Sequence, residues 1–197
     1  MKIGFDLDNT IVDYSQAVLE YACTLDSCQA KTVSELKRWF FARNQEDQWT
    51  RAQSWLYSEG LKFAEITKGA LDVLTALNTL PLDFSILSHK TVLGPKEYGG
   101  REFRKAMNEW LFYSDLRELC MHRVEYFDTL DAKVEAICKG RFGFFIDDLR
   151  KVLEHDDFPQ STIPIHYSPD LHESDYESKS RIVSIQKLST LLTFFAS

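Results

Sequence analysis

The residues with the clearest chemical potential lie in Met1-Lys-Ile-Gly-Phe-Asp-Leu-Asp-Asn-Thr10, where a short apolar run stops at Asp6 and reaches a second carboxylate at Asp8. Ile3 and Phe5 have the β-branched and aromatic character of a strand, which predicts a buried strand ending at Asp6. Two carboxylates this close repel each other unless a cation or a shared proton relieves them. The pair therefore suits a metal site or acid/base work, and an Asp carboxylate beside a proton donor can also attack phosphorus as a nucleophile. Asp, Asn and Thr equally suit a turn followed by a helix cap, so the stretch alone leaves both readings open.

Two later apolar runs end in polar groups of the same kind. Phe84-Ser-Ile-Leu87 stops at Ser88, and Phe144-Phe-Ile146 stops at Asp147 and Asp148. The carboxyl ends of the strands of one parallel sheet form a common crevice, so Asp6, Asp8, Ser88, Asp147 and Asp148 can share a pocket. Lys133, in Asp131-Ala-Lys-Val-Glu135, opens a helix leading into the last of these strands. A nucleophilic carboxylate, a second acid, a hydroxyl, a cation and carboxylates for Mg²⁺ are the groups that phosphoryl transfer needs. His89 and Lys90 directly follow Ser88 and, like the Lys96 to Arg101 loop, suit substrate contacts and a surface position equally.

The elements that must position these groups follow from periodicity. Apolar residues fall at helical spacing through Ile11 to Leu25, through Ser34 to Ala42 with Ser34 as the cap, and through Glu46 to Tyr57. No strand is expected between Asp13 and Ile66, and Lys68-Gly69 marks the return to the main fold. Helix and strand then alternate. Helices are predicted from Ala70 to Leu80, broken by Pro81, from Phe103 to Leu111 and from Ala132 to Lys139; strands are predicted at 84–87, 123–127, 144–146 and 162–167. Pro164 argues that the last strand lies at an edge. Ser168 to Ser180 reads as a solvated loop, and Val183 to Phe195 as a closing helix. The alternation implies an α/β fold, a Rossmann-like parallel sheet covered by helices on both faces, with a small all-helical cap. Residues 1–13 and 67–197 would form the core and 14–66 the cap.

Composition narrows the class of partner. A net charge of −7 argues against a nucleic-acid backbone or an anionic membrane as the main ligand. Hydrophobic residues at 44% and aromatic residues at 13% are enough for a folded core of this length. Cys23, Cys28, Cys120 and Cys138 form neither a close pair nor a metal-ligand pattern and read as reduced core thiols. No run approaches the roughly 18 apolar residues of a membrane span, and no cleavable leader is apparent, so a cytoplasmic location is expected.

The motifs together resemble the haloacid dehalogenase superfamily of phosphohydrolases. Its first motif is matched by Phe5-Asp6-Leu7-Asp8-Asn9-Thr10, its second by Ser88 at the end of an apolar strand, its lysine by Lys133 with Lys139 the weaker candidate, and its acidic pair by Ile146-Asp147-Asp148. The resemblance implies that Asp6 is the nucleophile and a Mg²⁺ ligand, and that Asp8 is the general acid and then base, with its main-chain carbonyl on the metal. It also implies that Ser88 and Lys133 hold the phosphoryl oxygens, and that Asp147 and Asp148 complete the metal site. Members that cleave carbon–halogen bonds lack the second acid, so Asp8 favours phosphate ester hydrolysis. The expectation is a Mg²⁺-dependent phosphatase acting on a small phosphorylated metabolite through an aspartyl-phosphate, under a cap whose Arg38, Arg43 and Arg51 contact the leaving group. A 5′-nucleotidase-like enzyme acting on nucleotides, or a non-catalytic binding protein of the same fold, are the alternatives.

Overall fold

The computed structural model describes residues 1–80, 82–169 and 181–195. Its centre is a parallel six-stranded sheet in the order β5-β4-β1-β6-β7-β8. The strands are β1 (Lys2–Phe5), β4 (Asp83–His89), β5 (Val124–Phe127), β6 (Phe144–Asp147), β7 (Ile163–Tyr167) and β8 (Val183–Ile185). β1 is central. It pairs with β4 through Phe5↔Ile86 and with β6 through Phe5↔Ile146, so Asp6, Leu87–Ser88 and Asp147 arrive at one edge of the sheet.

Side chains alternate across the sheet and are buried on both faces, as a parallel sheet requires. Ile3, Phe5, Phe84, Ile86, Ile146 and Ile165 point into the larger core, which also takes Leu74 and Leu77 of α4 (Ala70–Thr79) and Met107 and Leu111 of α5 (Phe103–Tyr113). Leu87 and Phe145 point to the opposite side. There they pack against Val134 and Ile137 of α7 (Leu130–Gly140) and Val152 and Leu153 of α8 (Arg150–Leu153).

Between the first two strands of the sheet lies the predicted helical stretch, as α1 (Ser15–Ala22), α2 (Val33–Phe41) and α3 (Glu46–Leu56), followed by a 3₁₀ turn at Glu59–Phe63. Thr32, not Ser34, caps α2, because its hydroxyl is the one placed to accept from the Glu35 N–H. The expectation of no strand here is corrected. β2 (Val12–Asp13) and β3 (Glu65–Ile66) form a short antiparallel ribbon at the base of the stretch, too brief to leave a period-2 signal. At the return, Gly69 has φ 84°, a left-handed conformation that a side chain would strain, and α4 begins directly after it.

Two expectations for the carboxyl-terminal third are also corrected. β7 is interior, flanked by β6 and β8. Pro164 is tolerated there because Ile163 supplies the N–H to the β6 side, at Gly143 O, while the β8 pairing starts only at Ile165. Val183 to Phe195 is not one helix: Val183–Ile185 is a strand, Leu188–Thr190 a 3₁₀ turn, and α9 is Leu191–Phe195. Val183-Ser-Ile185 offers alternating side chains to a half-covered sheet edge, and pairing with β7 outweighs its weak helical spacing. Pro81 and most of the predicted 168–180 loop lie outside the described residues. All four cysteines are unpaired, but only Cys120 is buried; Cys23 is exposed, and Cys28 and Cys138 are half-buried.

Candidate active site

The chain turns tightly where β1 ends. The Asp6 N–H still bonds to Ile146 O, after which the N–H groups of Ile11 and Val12 both return to Leu7 O. Asn9 takes φ 59°, in the left-handed region that Asn tolerates better than most residues. This loop sets Asp6 and Asp8 at the sheet edge on different sides. Asp6 continues the alternation toward α7, and Asp8 faces the helical stretch.

On the α7 side, Thr129 caps the helix by accepting from Ala132 N–H, and one turn later Lys133 points inward. Its ammonium lies 2.5 Å from Asp6 Oδ1 and 2.7 Å from Asp147 Oδ2, with side chains 1%, 7% and 0% exposed. Asp147 also accepts the Leu149 N–H at 2.8 Å through its other oxygen. Lys139, the second candidate, is exposed and paired with Glu135, so Lys133 is the lysine of this site. Asp148 is half-buried and completes a triad: ligand oxygens of Asp6, Asp147 and Asp148 lie within 4.8 Å of one another.

Three carboxylates around one ammonium leave an electrostatic imbalance. Burial, offset by Lys133 and reinforced by Asp147 and Asp8, pushes Asp6 up to about 7. Burial, with Asp6 and Asp147 adding to it, holds Asp148 well above the usual carboxylate range. The two carboxylates hold Lys133 above its ordinary value although burial opposes this. Hard oxygen donors carrying surplus negative charge fit a small oxygen-loving cation, so the residues present suit a metal.

On the other side, Ser88 of β4 and Lys90, the residue just past the strand, lie on the same side of the extended chain because they are two residues apart, and both reach Asp8. Ser88 Oγ donates to Asp8 Oδ2 at 3.1 Å. Lys90 Nζ lies 2.9 Å from Asp8 Oδ1, close enough for an ion pair though not aligned as a hydrogen bond, and 4.0 Å from the centre of the Tyr57 ring. His89, between them, points to the opposite face, where its Nε2 faces Asp128 O at 3.2 Å and partial burial lowers its pKa. The structure thus brings Asp6, Asp8, Ser88, Lys90, Lys133, Asp147 and Asp148 together and leaves His89 at the rim.

Two residues escaped sequence reasoning. Tyr14 stands at the N-cap of α1, is 1% exposed, and donates its hydroxyl to Asp8 Oδ1 at 2.5 Å. Burial and Asp8 hold that hydroxyl well above its ordinary pKa, so it remains a donor. Its signal was a bulky aromatic where a small polar cap is usual. Tyr57, just past α3, packs edge-on against Tyr14 with ring centres 5.5 Å apart, and nothing in the sequence marks it. The cap arginines do not reach the carboxylates: Arg38, Arg43 and Arg51 are exposed, and Arg43 lies on the Trp39 ring at 4.0 Å. The Lys96 to Arg101 loop binds the helical stretch instead of lining the cluster. Tyr98 donates to Asp47 O at 3.0 Å, and Arg101 reaches Ser58 Oγ at 3.1 Å and Glu59 at 2.8 Å.

No protein-family model and no curated protein sequence matches the chain. Solved structures do. A protein described as a dehalogenase superposes with a TM-score of 0.61 at 16% identity, covering 100% of this chain and 97% of that one. A HAD family hydrolase from Deinococcus radiodurans R1, with bound phosphate and sodium, gives 0.56 at 14% identity, covering 99% and 94%. A predicted phosphoglycolate phosphatase from Haemophilus somnus 129pt gives 0.55 at 14% identity, covering 98% and 96%. These superpositions cover nearly the whole of each chain, and the fold of this chain is the one seen in those HAD-type hydrolases.

Proposed function

We propose that the protein is a divalent-metal-dependent phosphatase that hydrolyses a small phosphorylated metabolite through an aspartyl-phosphate on Asp6. The observation that carries the reading is the pairing of two differently surrounded carboxylates at the mouth of the central strand. Asp6 is held by Lys133 within the Asp147 and Asp148 cluster, while Asp8 is held among hydroxyls and Lys90.

In this reading an Asp6 oxygen attacks phosphorus, the bond from phosphorus to the leaving oxygen breaks, and Asp8 gives that oxygen a proton. Water then attacks the aspartyl-phosphate, Asp8 takes the water's proton, and phosphate leaves with Asp6 restored. Ser88 and Lys133 donate to the phosphoryl oxygens as charge shifts onto them. Asp6, Asp147 and Asp148 would hold Mg²⁺, with the main-chain carbonyl of Asp8. Mg²⁺, when bound, supplies positive charge that offsets the crowded carboxylates and the phosphate dianion. The neighbour with bound phosphate and sodium supports an anion and a cation being accepted by this fold. The helical stretch 14–66 acts as a cap that excludes water from the reacting centre.

The test is hydrolysis of aryl, sugar, nucleotide and amino-acid phosphates with Mg²⁺ and with EDTA. Turnover that needs the cation and vanishes in Asp6→Asn is expected. Complete inactivity across metals, pH and substrates would point to a non-catalytic binding protein.

A further inference from the structure

Lys90 and Tyr14 have no task in the reaction just described, yet both are buried against its second acid. A lysine 3% exposed, far from solvent, is costly unless its charge is used. Lys90 Nζ is 2.9 Å from Asp8 Oδ1 and lies over the face of Tyr57. Tyr14 donates to the same oxygen at 2.5 Å and is braced edge-on by Tyr57. Ser88 takes the other oxygen. Asp8 is therefore gripped from two elements that the chain brings in separately, the residue following β2 and the residue following β4. Among the described residues, neither Tyr14 nor Lys90 has a hydrogen bond or ion pair with Asp6, Asp147 or Lys133.

Resting on the phosphatase reading, we propose that Tyr14 and Lys90 are positioning residues that hold the Asp8 carboxyl where it meets the leaving oxygen. They act through Asp8 and leave the phosphoryl end to Ser88, Lys133 and the metal. Because Tyr14 opens the helical stretch directly after the β2–β3 ribbon, movement of that stretch would also move the grip on Asp8. Proton transfer matters most when the leaving oxygen is basic, so the role has a signature that a purely structural role lacks.

The experiment measures kcat/KM for aryl phosphates of increasing leaving-group pKa, from 4-nitrophenyl to phenyl phosphate, in the metal-loaded wild type, Tyr14→Phe and Lys90→Met. Misplacing a catalytic group by about 1 Å costs up to about a hundredfold, so each variant should lose about ten- to a hundredfold on phenyl phosphate and less than about threefold on 4-nitrophenyl phosphate. Inhibition by inorganic phosphate should be unchanged. Equal losses across the series, or no loss, would overturn the proposal while leaving the phosphatase reading intact. A wild type inactive on every ester, or an active Asp6→Asn, would instead bring down the phosphatase reading and this proposal with it. Tyr14→Phe deletes a single oxygen and keeps the ring on Tyr57, so it decides the matter if Lys90→Met fails to fold.

Discussion

Lys133→Met tests the electrostatics of the site independently of any substrate. The substitution keeps the volume of the side chain but removes a charge that lies 2.5 Å from Asp6 and 2.7 Å from Asp147, all three side chains being almost wholly buried. Removing one partner of such a buried pair typically costs about 3–5 kcal/mol, because the remaining charge is left uncompensated. For a chain of this size that corresponds to a fall in Tm of roughly 6–20 °C. Urea and thermal denaturation in EDTA would measure it. The exposed pair of Lys139 with Glu135 provides the control, and Lys139→Met should change stability by no more than about 1 kcal/mol. Adding Asp6→Asn to Lys133→Met should recover part of the loss, with a coupling of roughly 1–3 kcal/mol. Mg²⁺ should stabilise Lys133→Met more than it stabilises the wild type, since the cation then replaces the missing charge. A Lys133→Met loss below about 1 kcal/mol, additive with Asp6→Asn, would refute this account of the site.

Three further outcomes are expected. Asp6→Asn should reduce phosphatase activity to background, whereas Asp8→Asn should lose about 10²- to 10⁴-fold and less on substrates with good leaving groups, as steady-state kinetics would show. In the metal-free protein Asp6 sits at about 7 against an ordinary 3.8, so its favourable contribution is complete below about pH 4 and is lost as pH rises through about 7. Asp6→Asn should therefore melt above the wild type at pH 8 in EDTA, with the gap closing as pH falls toward 4; a gap independent of pH would contradict the placement of Asp6. Finally, burial pushes the Cys120 thiol up to about 12, so thiol-reactive probes at pH 8 should label exposed Cys23 readily and Cys120 only after unfolding, as peptide mapping would reveal.

Much of the sheet and its chemistry was legible in the order of residues because both are encoded locally. Apolar runs that stop at a carboxylate or hydroxyl mark strand ends, and the alternation of helix and strand dictates a parallel sheet whose strand ends converge. That was enough to gather Asp6, Asp8, Ser88, Asp147 and Asp148 at one sheet edge. What depends on contacts between distant parts of the chain was not legible. Lys133 and Lys139 both lie on α7, and burial against Asp6 and Asp147 alone separates them. The parity of β4 sends Lys90 inward to Asp8 and His89 outward, though the two are adjacent in sequence. Pro164 suggested an edge that β8 covers, since the missing N–H falls just before the β8 pairing begins. Val183-Ser-Ile185 became a strand because an open sheet edge was there to complete. The grip of Tyr14 and Lys90 on the second acid was likewise decided in three dimensions: a tyrosine at a helix start carries no chemical meaning until folding buries it against a carboxylate.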